Sequence, residues 1–226
     1  MPLSKIPLPR HLENLSKHGS KRRTLKKEKE LGNISYKSPS QIASIIRSSK
    51  WPYRTKRDFY HARDLALASL LFLSSGRVNE VLRLTKDQFK EYEPDPDILL
   101  LRSFYVSKRK QGHDHPSLDI PLPRVGASSP LTANVEAYLE MLGSEDKLFK
   151  FSRARAWAII RHITKRPGAS SPGMWCHWFR AQSLSHQVNL IRSTIAVAKQ
   201  RGVANPATLA HYYTGDWKLF KDELKR

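Results

Sequence analysis

Apolar side chains follow no period through residues 1–37 and a clear one from Ser38 onward. Ser38-Pro39-Ser40-Gln41 places a capping serine, then proline at the first helical position and glutamine at the third, which is the sequence form of a helix start. Ile42, Ile45 and Ile46 then fall on one helical stripe, which Trp51-Pro52 ends. A longer helix is expected from about Lys56 to Ser74. Phe59, Leu65, Leu67, Leu70, Leu71 and Leu73 are too many for a surface helix, so its place is central. Gly76 breaks it, a short helix follows from Arg77 to Leu84, and Thr85-Lys-Asp-Gln88 reads as a second capping box or turn.

The rhythm then changes. After a loop at Asp95-Pro96, Ile98 to Val106 and Leu118 to Leu122 read as extended runs, with Lys108-Arg109-Lys110-Gln111-Gly112 between them, so a hairpin or small sheet is expected. Helical spacing returns after Pro123. One helix starts at Ser129-Pro130, with Val135, Tyr138, Leu139 and Leu142 inward. Another starts at Ser152, with Trp157, Ile160 and Ile163 inward. A Pro/Gly/Ser stretch from Arg166 to Gly173 leads into Trp175-Cys-His-Trp-Phe-Arg180. Ser193 to Gln200 reads as a helix closed by Gly202, and Asn205-Pro206 caps one more, which carries Tyr212 and Tyr213. There is no internal repeat. The order of helices, a small β unit and helices again predicts an α+β fold, mostly α, with helices around a small antiparallel hairpin or sheet.

Charge narrows the class. Lys and Arg number 40 against 20 Asp and Glu, a formal +20, which points to a polyanionic partner and to nucleic acid before an anionic membrane. Residues 1–37 carry ten Lys and Arg against three Glu and form a basic arm ahead of a folded unit at 38–226. The arm, with Lys21, Arg22 and Arg23, reads either as a DNA-contacting segment or as a solvated head without a specific task. The single cysteine, Cys176, forms no internal disulfide and fits a reducing compartment. No apolar run approaches 18 residues, so no membrane partner is expected.

Candidate chemistry gathers at four places: Ser75-Gly-Arg77-Val-Asn-Glu80, the basic turn with Lys108 and Lys110, His177-x-x-Arg180, and Tyr212-Tyr213. A His and an Arg three apart share a helix face, and with a tyrosine they supply a proton carrier, a charge clamp and a nucleophile for a phosphodiester. Each place has a plainer reading. Arg77 can be a surface ion pair with Glu80, the lysines can be phosphate contacts in a basic loop, and His177 can be a packing residue beside Trp175 and Trp178. His113-Asp114-His115 looks like a metal clip but lacks further ligands nearby, so no metal site is expected.

In order and spacing the four places resemble the catalytic domain of tyrosine recombinases, the phage-type integrases, over roughly residues 38–220. The resemblance implies that Arg77 and Arg180 clamp one phosphate and that Glu80 orients the site. Lys110 in Lys-Gln-Gly, or Lys108 instead, would protonate the leaving 5′ oxygen, and His177 would bond the phosphate or shuttle the tyrosine proton. Lys108 and Arg109 would also contact DNA. The resemblance implies Tyr213 as the nucleophile, because Tyr213-Thr214 is similar to the family's Tyr-Thr-His ending, with Tyr212 as the alternate. The pattern is broken where the family places a second His or Trp: Val203 and Ala204 stand there. Position 181, often His in the family, is alanine.

The implied function is site-specific recombination or integration through a 3′-phosphotyrosyl link. It needs neither cofactor nor metal, and it acts on double-stranded DNA at attachment sites as a dimer or tetramer. The setting is the cytoplasm or nucleoid of a prokaryotic host, with a virus, plasmid or integrated element as the source of the gene. A type IB-like topoisomerase and a catalytically impaired DNA-binding relative are the alternatives. Many members carry a helical core-binding domain ahead of the catalytic one. The length before Ser38 leaves no room for it, so a minimal integrase or a catalytic fragment is expected.

Overall fold

The computed structural model describes residues 37–47, 55–107, 117–144, 146–164, 175–191, 193–201, 203, 206 and 209. Residues 1–36 of the basic arm, Trp51-Pro52, residues 108–116, residues 165–174 and both candidate tyrosines lie outside these residues.

Helix α1 (Pro39–Arg47) starts as its sequence predicts. Ser38 N–H donates to Gln41 Oε1 (3.0 Å) and Gln41 N–H donates to Ser38 Oγ (3.3 Å), a reciprocal capping box. Ile42, Ile45 and Ile46 are buried. Helix α2 (Arg57–Leu73) is the central element. Its second half, Ala66 to Leu73, is buried on every face. It packs against α4 (Ser129–Leu139), and on another side against α6 (Cys176–Ile191). A helix with no wet side at its C-terminal end can hold a loop at a fixed place in the core, and Ser75-Gly76-Arg77 is that loop.

The short helix α3 (Val78–Val81) is a single turn, shorter than expected, and ends before Leu84. Thr85 then opens a 3-10 turn over Lys86–Gln88, with Thr85 N–H donating to Gln88 Oε1 (3.0 Å). The sheet has three antiparallel strands in the order β1 (Phe89–Glu91), β2 (Ile98–Tyr105), β3 (Ser117–Pro123). The third strand, β1, is an addition to the expected hairpin. At three residues it carries too little alternation to be read from sequence.

Strand β2 contains a bulge. Leu101 pairs with Ile120 and Phe104 with Leu118, so Arg102 and Ser103 together face the single residue Asp119. Ser103 takes a left-handed conformation (φ 52°), and its N–H donates to Asp119 Oδ1 (2.9 Å). The extra residue resets the alternation, so Leu99, Leu101, Phe104 and Val106 all point to the core.

Helix α5 (Arg153–Thr164) corrects one expectation. Ala156, Ile159, Ile160 and Ile163 form its buried face, while Trp157 is 47% exposed, with the Arg161 guanidinium 4.5 Å over its ring. A tryptophan at helical spacing from two isoleucines can therefore lie on the neighbouring, outer stripe. Leu142 is half-buried and lies beyond the end of α4. Helix α7 (Thr194–Gln200) is capped by Ser193, whose Oγ accepts from Ala196 N–H (3.2 Å). It is held to α6 by a cluster of Leu184, Val188, Val197, Ala198 and Leu209, with Val203 packed against it. The result is the expected mostly helical fold around a small antiparallel sheet. Among the described residues no helix is long and apolar enough to cross a membrane.

Gly76 is required by space. Its neighbour Ser75 adopts the left-handed conformation (φ 52°), whereas a Cβ on Gly76 would meet Phe104 Cζ at 2.6 Å and Ser74 Oγ at 2.8 Å. Gly76→Ala is expected to destabilise the protein by about 1–3 kcal/mol through overpacking, read as a lower denaturation midpoint. Gly76→Ala combined with Phe104→Leu should recover part of that loss, because the ring tip is the obstacle.

Candidate active site

The site is built on the loop between α2 and α3. Arg77 begins α3 in an extended conformation, and its N–H donates to Glu80 Oε2 (2.6 Å). Its guanidinium is one-third exposed, and Nη1 donates both to Glu80 Oε1 (2.9 Å) and to the Ser107 carbonyl (2.9 Å). The carboxylate of Glu80 is 2% exposed and also accepts from Ser107 N–H (2.9 Å) and Ser107 Oγ (2.8 Å). The ion pair expected as the plainer reading of Arg77 is therefore present. It is also a structural junction: one buried carboxylate ties the start of α3 to the residue that leads out of β2. Ser107 immediately precedes Lys108 in the chain.

Helix α6 brings the second half. His177, Arg180, Ser183 and Gln187 recur at three- and four-residue spacing along one stripe. His177 is half-buried and Arg180 is 6% exposed. Arg180 Nη1 donates to the carbonyl of Ser75, two residues before Arg77. Ser75 Oγ and Ser183 Oγ are 2.6 Å apart, and Gln187 Nε2 donates to both (3.1 Å each). Left-handed backbone at a fully buried serine is costly, and a packed surround must hold it. Here the bonds from Arg180, Ser183 and Gln187 supply that hold.

Thus Arg77, Glu80 and Arg180 are brought to one loop, and His177 lies one turn ahead of Arg180 on the same helix. Glu80 bonds both Arg77 and Ser107. Lys108, Arg109, Lys110, Tyr212, Tyr213, Lys21, Arg22 and Arg23 lie outside the described residues. Val203, where the family pattern places a second His or Trp, packs as a hydrophobe against the α6–α7 cluster.

Sequence reasoning did not single out Ser107, Ser183, Gln187 and Arg201. Ser183 and Gln187 had a signal, since they continue the His177–Arg180 stripe. Arg201 had none. It ends α7, 8% exposed, and its Nε donates to Gln187 Oε1 (2.6 Å). Burial and then the nearby Arg180 charge pull its guanidinium down to about 10.

One other reactive group is set aside by its surroundings. Burial pushes the Cys176 thiol up to about 11, so it stays protonated and is a poor nucleophile. Among the described residues no group of three His, Cys, Asp or Glu side chains could hold a metal ion.

No protein-family model matches the sequence, and a search of curated proteins finds no match. Solved structures do match. The XerH site-specific recombinase in its post-cleavage complex with palindromic difH substrate aligns over 82% of this chain and 50% of its own, with a TM-score of 0.56 and 15% identity. The XerA recombinase aligns over 85% of this chain and 63% of its own, with a TM-score of 0.53 and 17% identity. The Tn1549 transposon integrase in complex with transposon right-end DNA aligns over 85% and 65%, with a TM-score of 0.51 and 15% identity. The alignments cover about half to two thirds of the matched chains in these structures. At such low identity the likeness speaks for architecture: this chain has the fold of a tyrosine recombinase catalytic domain.

Proposed function

We propose that this protein is a DNA strand transferase of the site-specific recombinase and integrase kind. The observation that carries the reading is the anchoring of Arg77 and Arg180 on one three-residue loop, Ser75 to Arg77, with His177 a turn ahead of Arg180. Two guanidiniums held this way can grip the non-bridging oxygens of one phosphate, and they strengthen their hold as charge grows in the transition state.

In the proposed reaction Tyr213 Oη attacks the scissile phosphorus. A tyrosyl O–P bond forms and the P–O5′ bond breaks. His177 takes the tyrosine proton and Lys110 gives one to the departing 5′ oxygen. The Glu80–Ser107 bonds support this, because they hold the residue that immediately precedes Lys108 in the chain. Attack by a 5′ hydroxyl of a partner duplex reverses the step and restores the diester. Bond energy is conserved in the phosphotyrosyl link, so the balance needs neither ATP nor a metal.

The partner in this reading is double-stranded DNA at attachment sites, bound by a dimer or tetramer. Lys21, Arg22 and Arg23 of the 1–37 arm, with Lys108 and Arg109, make backbone contacts. The setting is the nucleoid of a prokaryotic host, with a virus, plasmid or integrated element as the gene's source.

A nicked suicide substrate carrying the candidate attachment site tests the reading. The wild type and Tyr212→Phe should form a covalent protein–DNA adduct, and Tyr213→Phe should form none. The reverse result moves the nucleophile to Tyr212. An adduct in both variants sinks the tyrosine mechanism. A wild type that binds DNA but forms no adduct is a DNA-binding relative, and one that relaxes supercoils without joining duplexes is a topoisomerase.

A further inference from the structure

The described core holds a second buried arginine beside Arg180 that the proposed reaction does not use. Arg201 is 8% exposed, and its Nη1 is buried with no hydrogen-bond partner among the described residues. No carboxylate pairs with it among those residues, and the charge it feels is the like charge of Arg180. Burying a guanidinium is costly unless it is paired and fully bonded. A core that keeps one in this state, next to another, is arranged for an anion that arrives from outside.

One hydrogen-bond network joins the two arginines. Arg201 Nε is fixed by Gln187 Oε1, Gln187 Nε2 bonds Ser75 Oγ and Ser183 Oγ, and the Ser75 carbonyl accepts from Arg180. Both guanidiniums are therefore joined through one set of side chains around Ser75, close enough for each to feel the other's charge. With Nε spent on Gln187, the unpartnered Nη1 is a donor left over for a ligand. The α6–α7 hydrophobic cluster holds the end of α7 in place, and Arg201 N–H is fixed on the Val197 carbonyl (2.9 Å). The guanidinium is thus presented from a rigid element.

We propose that Arg201 is a third phosphate-binding cation of this site, donating from Nη1 to a phosphodiester oxygen held by Arg180. The proposal rests on the functional reading above for its ligand's being DNA, but its anion chemistry can be tested without DNA. The probe is inorganic phosphate. The thermal midpoint of the DNA-free protein is followed as sodium phosphate replaces sodium chloride at constant ionic strength.

The wild type should gain several degrees over the chloride reference. Arg201→Met should lose most of that phosphate-specific gain, and Arg201→Lys, which keeps the charge but not the planar fork, should keep only part of it. A gain in Arg201→Met equal to the wild type's, or no gain in the wild type, overturns the proposal. If Arg201→Met fails to fold, Arg201→Lys decides: a full gain there overturns it. On the suicide substrate, folded Arg201→Met should form adduct about 100-fold more slowly, and adduct formation at the wild-type rate refutes this inference while leaving the recombinase reading intact. A wild type that forms no adduct but shows an Arg201-dependent phosphate gain keeps the anion site and refutes the recombinase reading alone.

Discussion

Arg180→Ala is expected to slow covalent adduct formation by about a thousandfold, the loss typical for a fixed donor aimed at developing charge. The same change should weaken DNA binding only about tenfold and reduce the salt dependence of binding by about one unit, because one phosphate contact among many is removed. The split between the two effects is the informative part. Arg180 is 6% exposed and already donates Nη1 to the Ser75 carbonyl, so its orientation is set without a ligand. A preorganised guanidinium need not reorient as charge develops, and its contribution grows toward the transition state. Arg180→Lys should recover little, since a lysine offers a point charge and cannot hold both the Ser75 carbonyl and a phosphate in one plane. Single-turnover rates and binding isotherms over a salt series check this. Equal losses in rate and affinity would refute it.

Glu80→Ala is expected to cost about 2–3 kcal/mol of folding stability, seen as a fall in thermal midpoint of about 5–10 °C for a domain of this size. The carboxylate takes Arg77 N–H, Arg77 Nη1, Ser107 N–H and Ser107 Oγ. Its removal leaves the two donors of Ser107 and the Arg77 amide without their acceptor. The guanidinium of Arg77 is one-third exposed and can turn to water, which keeps the cost below that of a fully buried pair. Glu80→Gln keeps the shape and one oxygen, so about half the loss is expected. Activity should fall further than stability does. Measured below the midpoint, where the variant is folded, adduct formation should still drop about 100-fold, because Arg77 and the exit of β2 are no longer tied together. A Glu80→Ala variant with wild-type rate and a lower midpoint would make Glu80 a folding residue alone.

Much of the site could be read along the chain because its parts are local. His177 and Arg180 share a face by spacing alone, and Glu80 reaches the Arg77 amide by the geometry of one helical turn. The Ser38–Gln41 and Thr85–Gln88 caps were readable for the same reason. Trp157 was misplaced because helical spacing gives a stripe but not which of two adjacent stripes meets the core. Gly76 was read as a breaker, while its requirement comes from Phe104, which reaches it only because the β2 bulge turns that ring inward. Arg201 stands at a helix end, a place where cations are usual and solvated. Nothing in Gln200-Arg201-Gly202 signals burial. Packing of α7 on Leu184 and Val188 produces it.

By itself the sequence determined the succession of helices and strands, the excess of positive charge and the residue types that a phosphodiester reaction needs. These follow from local periodicity, capping and composition, which act over a few residues. Tertiary structure alone decided which cations meet. Arg180 finds the Ser75 carbonyl across 105 positions, and Arg201 finds Gln187 only because two helices pack. Such pairings depend on how whole faces bury against α2, and on the cost of hiding charge within that core, neither of which is written in the spacing of residues along the chain.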